Sequence, residues 1–169
     1  IGLGGDSEIA VHANGKISVG PQRVTPVALT AARYPQVLTL LRADLDDVEG
    51  GGSLHGKFVL LPFAAATDKS ANGLSAREAE MLQAVTHEPK PLRKLATSLS
   101  AQRAISNLQR KGLIQVSSLT PSDVSHVLGL QANWSLEAAT MATQLATRLR
   151  DMKLPTPERN RAFAEQVWS

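Results

Sequence analysis

Cysteine is absent from this 169-residue chain. That excludes disulfide staples, thiolate zinc sites and cysteine nucleophiles. Aromatic residues make up only 4%, so Leu, Val, Ile and Ala have to build the interior. No apolar run approaches the roughly 18 residues that a membrane-spanning helix needs. No charged-then-apolar leader pattern is visible, so the expectation is a soluble cytoplasmic protein with no membrane partner. Internal repeats and low-complexity tracts are also lacking. What remains is 43% hydrophobic and 20% charged, the composition of a globular protein rather than a disordered one. The length suits one ordinary domain or two very small ones. The chain opens at Ile1 directly on a glycine-rich motif, so a piece of a longer or processed protein is expected.

The net charge of +3 is unevenly spread. Residues 1–74 carry 6 basic and 7 acidic side chains, residues 75–119 carry 7 and 3, and residues 120–169 carry 5 and 5. The excess positive charge therefore lies wholly in the middle segment. It permits nucleic-acid binding without demanding it.

The first region, residues 1–66, begins with a tight glycine turn, Gly2-Leu3-Gly4-Gly5-Asp6-Ser7. An alternating strand follows over residues 8–13. Asn14-Gly15 is a strong hairpin signal, residues 16–20 return as the second strand, and Pro21 is expected to end it. Residues 26–33 and 35–48 read as helices, with Val37, Leu38, Leu40, Leu41 and Leu45 on the inner face of the second. Residues 50–53 read as a flexible loop, and residues 58–61 as a strand buried on both faces.

In the middle region, Ser75 and Glu78 have capping-box spacing ahead of a helix. A short helix over residues 91–96 and a third over residues 100–111 follow. The third repeats Ala101, Ala104, Ile105 and Leu108 at helical spacing, and Gly112 stops it. Residues 113–116 read as a strand. Three helices and a strand resemble a winged helix-turn-helix, with Gln102, Arg103, Ser106, Asn107 and Arg110 off the apolar face of the recognition helix. Such residues reach base edges and phosphates, and Arg93, Lys94 and Lys111 could contact the backbone. The expected wing, residues 113–119, has no Lys or Arg. Winged helices also serve as protein-docking modules, so a nucleic-acid partner and a protein partner both stand.

The last region is helical: residues 121–128, a helix capped by Ser135 running to about residue 152, and a final helix from Thr156. Ala138, Met141, Ala142, Leu145 and Leu149 line one face of the second, and Phe163 and Val167 anchor the third. Asp123 and His126 lie three apart, on one helical face, as a metal pair requires. No third ligand accompanies them, and no metal site is assigned. Asp123 equally suits a helix N-terminus.

Glycines let backbone amides approach phosphate oxygens, so the glycine turn can serve as an anion nest or simply as a turn between strands. Ile1-Gly2-Leu3-Gly4-Gly5-Asp6-Ser7 resembles the glycine-rich motif of the hydantoinase A/5-oxoprolinase family. Val19-Gly20-Pro21 stands where that family has a Val-Gly-Pro element after a hairpin. Residues 119–129, Leu-Thr-Pro-Ser-Asp-Val-Ser-His-Val-Leu-Gly, are similar to its Thr-Asp-Ala-containing segment. The middle region has no place in that pattern and reads as an insertion.

The resemblance implies an actin/sugar-kinase-like fold that uses ATP and magnesium to open cyclic amides such as hydantoins or 5-oxoproline. In the intact enzyme ATP would phosphorylate the amide oxygen, which exposes the carbonyl carbon to water. Gly4, Gly5, Asp6 and Ser7 would contact phosphate, Asp6 with a catalytic role, and Asp123 and His126 would line the site. The family's other phosphate loop, Asp-Ile-Gly-Gly-Thr, is absent here. The resemblance therefore implies a missing N-terminal part, a hydantoinase B-like partner subunit, and no turnover by this chain alone. The expected fold class is α+β. A small sheet from the first third with packed helices, residues 1–66 and 119–169, belongs to an actin/sugar-kinase-like subdomain. Residues 75–118 form the winged-helix-like insertion.

Overall fold

Periodicity and turn chemistry break the chain into short elements. A computed structural model describes residues 5–12, 14–47, 54–63, 73–148 and 156–168 of it. In order these are β1 (Ser7–Val11), β2 (Ile17–Arg23), β3 (Thr25–Pro26), α1 (Val27–Arg33), α2 (Val37–Asp46), β4 (Phe58–Leu60) and α3 (Ala76–Ala84). They are followed by β5 (Lys90–Pro91), α4 (Leu92–Leu95), α5 (Leu99–Arg110), β6 (Gln115–Ser118), α6 (Pro121–Val127), α7 (Leu136–Thr147) and α8 (Thr156–Trp168). The architecture is α+β, with eight helices and small sheets among the described residues. Gly4, the 50–53 loop and Leu149 lie outside those residues. The chain divides into two compact units, Ile1–Gly56 with Ser118–Ser169, and Lys57–Ser117.

In the first unit β1 and β2 form the expected antiparallel hairpin, with Ile9 opposite Val19 and Val11 opposite Ile17. Gly15 takes φ +80° in its turn, a conformation costly for any residue with a Cβ. Pro21 does not end β2. The register shifts between Ser7 and Ile9, and the resulting bulge accommodates the cis Gly20–Pro21 pair before pairing resumes at Ser7 and Arg23. A proline lacks the ladder N–H, so a bulge is where a strand tolerates one. Helices α1, α2, α6, α7 and α8 build the rest. Val27, Ala28, Val124, Ala138, Ala139 and Ala164 are wholly buried, and these small side chains let the helices approach closely.

On α2 the inner face consists of Val37, Leu41 and a carboxylate, Asp44. Leu38, Leu40 and Leu45 are only half-buried. Asp44 is sealed from solvent and accepts the Gly56 N–H at 2.8 Å. Beyond it the Arg148 guanidinium donates to the carbonyls of Asp44 (3.0 Å), Asp47 (2.9 Å) and Leu45. A cation thus satisfies the open carbonyls at the C-terminal end of α2.

The second unit is built on β4, which pairs antiparallel with β5 on one side and β6 on the other. Sequence alone attaches this strand to the first region, but its hydrogen bonds lie within the second unit. Phe58 faces Ser117 across the ladder, so the chain enters and leaves this unit on neighbouring strands. Helices α3 and α5 cover a core of Val59, Met81, Val85, Ala101, Ala104, Ile105, Leu108 and Ile114. The Ser75 hydroxyl caps α3 by accepting the Glu78 N–H. The Glu78 carboxylate, buried and reached by Lys111 at 3.2 Å, departs from the reciprocal capping box.

Candidate functional site

Gly5, at the described end of the glycine motif, and the start of α6, far apart in sequence, meet in the first unit. The Ser122 N–H donates to the Gly5 carbonyl at 3.3 Å. A Cβ placed on Gly5 would stand 2.5 Å from Ser122 Oγ, so a larger residue there would make the Ser122 side chain rotate away. The Val24 N–H donates to the Asp6 carbonyl, and Ile9 N–H to the Leu119 carbonyl, both at 2.8 Å. These bonds hold the turn against the end of the hairpin. Asp6 projects a half-exposed carboxylate, 3.2 Å from the Arg23 guanidinium. Ser7 opens β1 and is partly accessible.

Asp123 has a different position from the one its spacing with His126 suggests. It is wholly buried and surrounded by donors. Oδ1 accepts Ala28 N–H at 2.7 Å. Oδ2 accepts Val27 N–H at 3.2 Å, Thr120 N–H at 2.9 Å and the Thr120 hydroxyl at 2.9 Å. Thr120 and Asp123 form a capping box on α6. The same carboxylate caps α1, whose own N-cap residue, Pro26, provides no side-chain bond. Burial pushes this carboxyl up to about 6, while the hydrogen bonds from Ala28, Thr120 and Val27 work against that rise.

His126 is equally committed. Nδ1 lies 2.7 Å from the Ser122 carbonyl, and Nε2 accepts the Trp134 N–H at 3.2 Å. The carbonyl requires a proton on Nδ1 and the amide requires a lone pair on Nε2, so the partners select the neutral Nδ1–H tautomer. The ring stacks on Trp134 with centroids 5.5 Å apart. Asp123 and His126 are thus both engaged by hydrogen bonds and buried, and no group of three or more potential ligands occurs among the described residues. His126→Ala removes both bonds and the stack. The expected loss is about 2–4 kcal/mol of stability, with a red-shifted tryptophan emission. A urea-midpoint change worth under ~1 kcal/mol would contradict that role.

Gln102, Arg103, Asn107 and Arg110 lie in the second unit, along the outer side of α5, with Gln102, Arg103 and Arg110 exposed. Arg110 donates to Asn107 Oδ1, and Gln102 Nε2 reaches the Ala96 carbonyl at 3.4 Å. Sequence reasoning did not single out Ser122 as the residue facing Gly5, nor His55 as the partner of Asp47 (2.9 Å). Neither pairing has a local signal. The capping box on α6 does have one, because Thr120 and Asp123 stand three apart.

No known protein family, characterised protein or solved structure matches the chain.

Proposed function

We propose that the first unit is the phosphate-contacting portion of a cytoplasmic ATP-dependent cyclic-amide hydrolase similar to hydantoinase A and 5-oxoprolinase. The second unit is then a winged-helix-like insertion. The observation that carries the reading is the meeting of Gly5 with Ser122. The two segments that resemble the family's motifs begin 118 positions apart, and the Ser122 N–H of one donates to the Gly5 carbonyl of the other. The insertion is supported by the neighbouring strands on which the second unit begins and ends.

The donor set around the turn suits a magnesium–phosphate group. Asp6 keeps a solvent-facing carboxylate, and magnesium in phosphate sites is commonly held by one or two carboxylates through water. Ser7 offers a hydroxyl, and Gly5 carries no Cβ to crowd the Ser122 hydroxyl. ATP, when bound, would supply the phosphoryl group that activates the amide. Asp6 would hold a magnesium-bound water, and Arg23 would neutralise Asp6 in its absence. Asp123 and His126 support the turn through the α6 backbone and do not touch the phosphate.

Magnesium and ATP at millimolar concentration are expected to shift the amide resonances of Gly5, Asp6 and Ser7 in a two-dimensional NMR titration. Asp6→Asn should abolish the magnesium-dependent part. Resonances that stay in place at saturating nucleotide contradict the proposal. Hydantoin- or oxoproline-dependent ATP hydrolysis by this chain alone contradicts its reading as half a cleft.

A further inference from the structure

We infer that the second unit binds duplex DNA through the outer face of α5, independently of the phosphate-loop reading. Three observations converge on that face. The first is charge. Residues 89–117 contain Lys90, Arg93, Lys94, Arg103, Arg110 and Lys111 and no Asp or Glu. Of these, Lys90 is paired with Glu88 (2.6 Å) and Lys111, at the end of α5, with the buried Glu78 (3.2 Å), while Glu80 lies beside Arg77 (3.5 Å). The outer face of α5 itself carries Arg103 and Arg110 and no carboxylate to repel a phosphate backbone. A solvated helix face ordinarily interleaves both signs.

The second observation is the stripe itself. Leu99, Gln102, Arg103, Ser106 and Arg110 recur at i, i+3, i+4, i+7 and i+11, which is one side of a helix. All five are exposed. Arg103 and Arg110 can pair with phosphates beside a major groove, Gln is a side chain that reads an adenine edge there, and an apolar group meets the thymine methyl. Leu99 is the most exposed large hydrophobic residue described, at 62%, and it stands at the start of this stripe.

The third is the support. Helix α4 and α5 are joined by the three residues 96–98, the connection of a helix-turn-helix. Ser98 caps α5 by accepting the Ala101 N–H at 3.1 Å. The opposite face, Ala101, Ala104, Ile105 and Leu108, is buried in the unit's core. A rigidly seated helix with a free polar side is what the groove admits. Residues 113–117 bring no cation, so contacts come from α4 and α5 alone. With Lys94, Arg103 and Arg110 on phosphates, the log–log salt slope should be about −2.7.

The test uses the full chain and a fluorescein-labelled mixed-sequence DNA duplex, read by anisotropy. Binding at low salt is expected, weakening roughly 40-fold between about 50 and 200 mM salt. The double variant Arg103→Ala/Arg110→Ala should bind at least ~10-fold more weakly, with an unchanged circular dichroism spectrum because both side chains are exposed. Arg161→Ala, a surface cation of α8, should bind like the parent. Duplex RNA, whose major groove is too narrow for a helix, should bind more weakly. No binding at low salt overturns the inference. So does equal binding by the parent and the double variant, or RNA binding that matches DNA.

Discussion

Asp123→Ala is expected to cost on the order of 4 kcal/mol, a large part of the 5–15 kcal/mol that holds a domain folded. The carboxylate accepts from Val27, Ala28 and Thr120 amides and from the Thr120 hydroxyl, all in a buried setting. Truncation leaves the first amides of α1 and the cap of α6 without acceptors. Each such buried donor costs about 1–3 kcal/mol when left unpaired. Asp123→Asn should recover little, because its NH2 group must face donors at one of the two oxygen positions. A urea midpoint for either variant within ~1 kcal/mol of the parent removes Asp123 from this role.

The same residue sets a pH dependence whose sign follows from burial. An unfolded aspartate titrates near ~3.9, whereas Asp123 in the folded chain is pushed up to about 6. Between those values the folded state holds a proton that the unfolded state has released. Stability from this group is therefore fully present below about pH 4 and is lost as pH rises through 6. The total change is about 3 kcal/mol, because a tenfold change in proton affinity is worth about 1.36 kcal/mol. Subtracting the pH–stability profile of Asp123→Asn from that of the parent isolates it. Parallel profiles between pH 4 and 7 contradict the buried-proton account.

What could be read directly from the sequence had local causes. The hairpin at Asn14-Gly15, the Ser75 and Ser135 caps and the apolar stripe of α5 are each set within a few residues, and each is present in the structure. The readings that changed depended on distant partners. Pro21 continues β2 because the bulge is a property of the strand pair, which no window around Pro21 contains. Asp123 and His126 share a helical face to which no metal site is assigned, and what each does there depends on Ala28, 95 positions from Asp123, and on Trp134. A fully buried Phe58–Leu60 strand is equally compatible with either sheet, so its membership followed only from its partners.

Leu108→Ala should unfold the second unit at a temperature where the first is still native. Leu108 is fully buried among Val59, Met81, Val85, Ala104 and Ile114, all of them in the second unit. Losing a leucine of that kind costs about 2–5 kcal/mol, through the transfer of its methylenes and the cavity left behind. A unit of about 60 residues buries only about 60% of its unfolded surface and is correspondingly marginal, so this loss can exceed its whole stability. Trp134 and Trp168, the two tryptophans, both belong to the first unit. Tryptophan emission therefore follows the first unit, while far-ultraviolet circular dichroism also follows α3, α4 and α5. The expected result is an early loss of helical signal with unshifted tryptophan emission, and Leu108→Met should cost under about 1.5 kcal/mol. Coincident midpoints in the variant would mean that the two cores melt as one. If the transitions separate, DNA binding by α5 should vanish in the first of them while the Gly5–Ser7 amides still answer to magnesium and ATP, because the two surfaces rest on different cores.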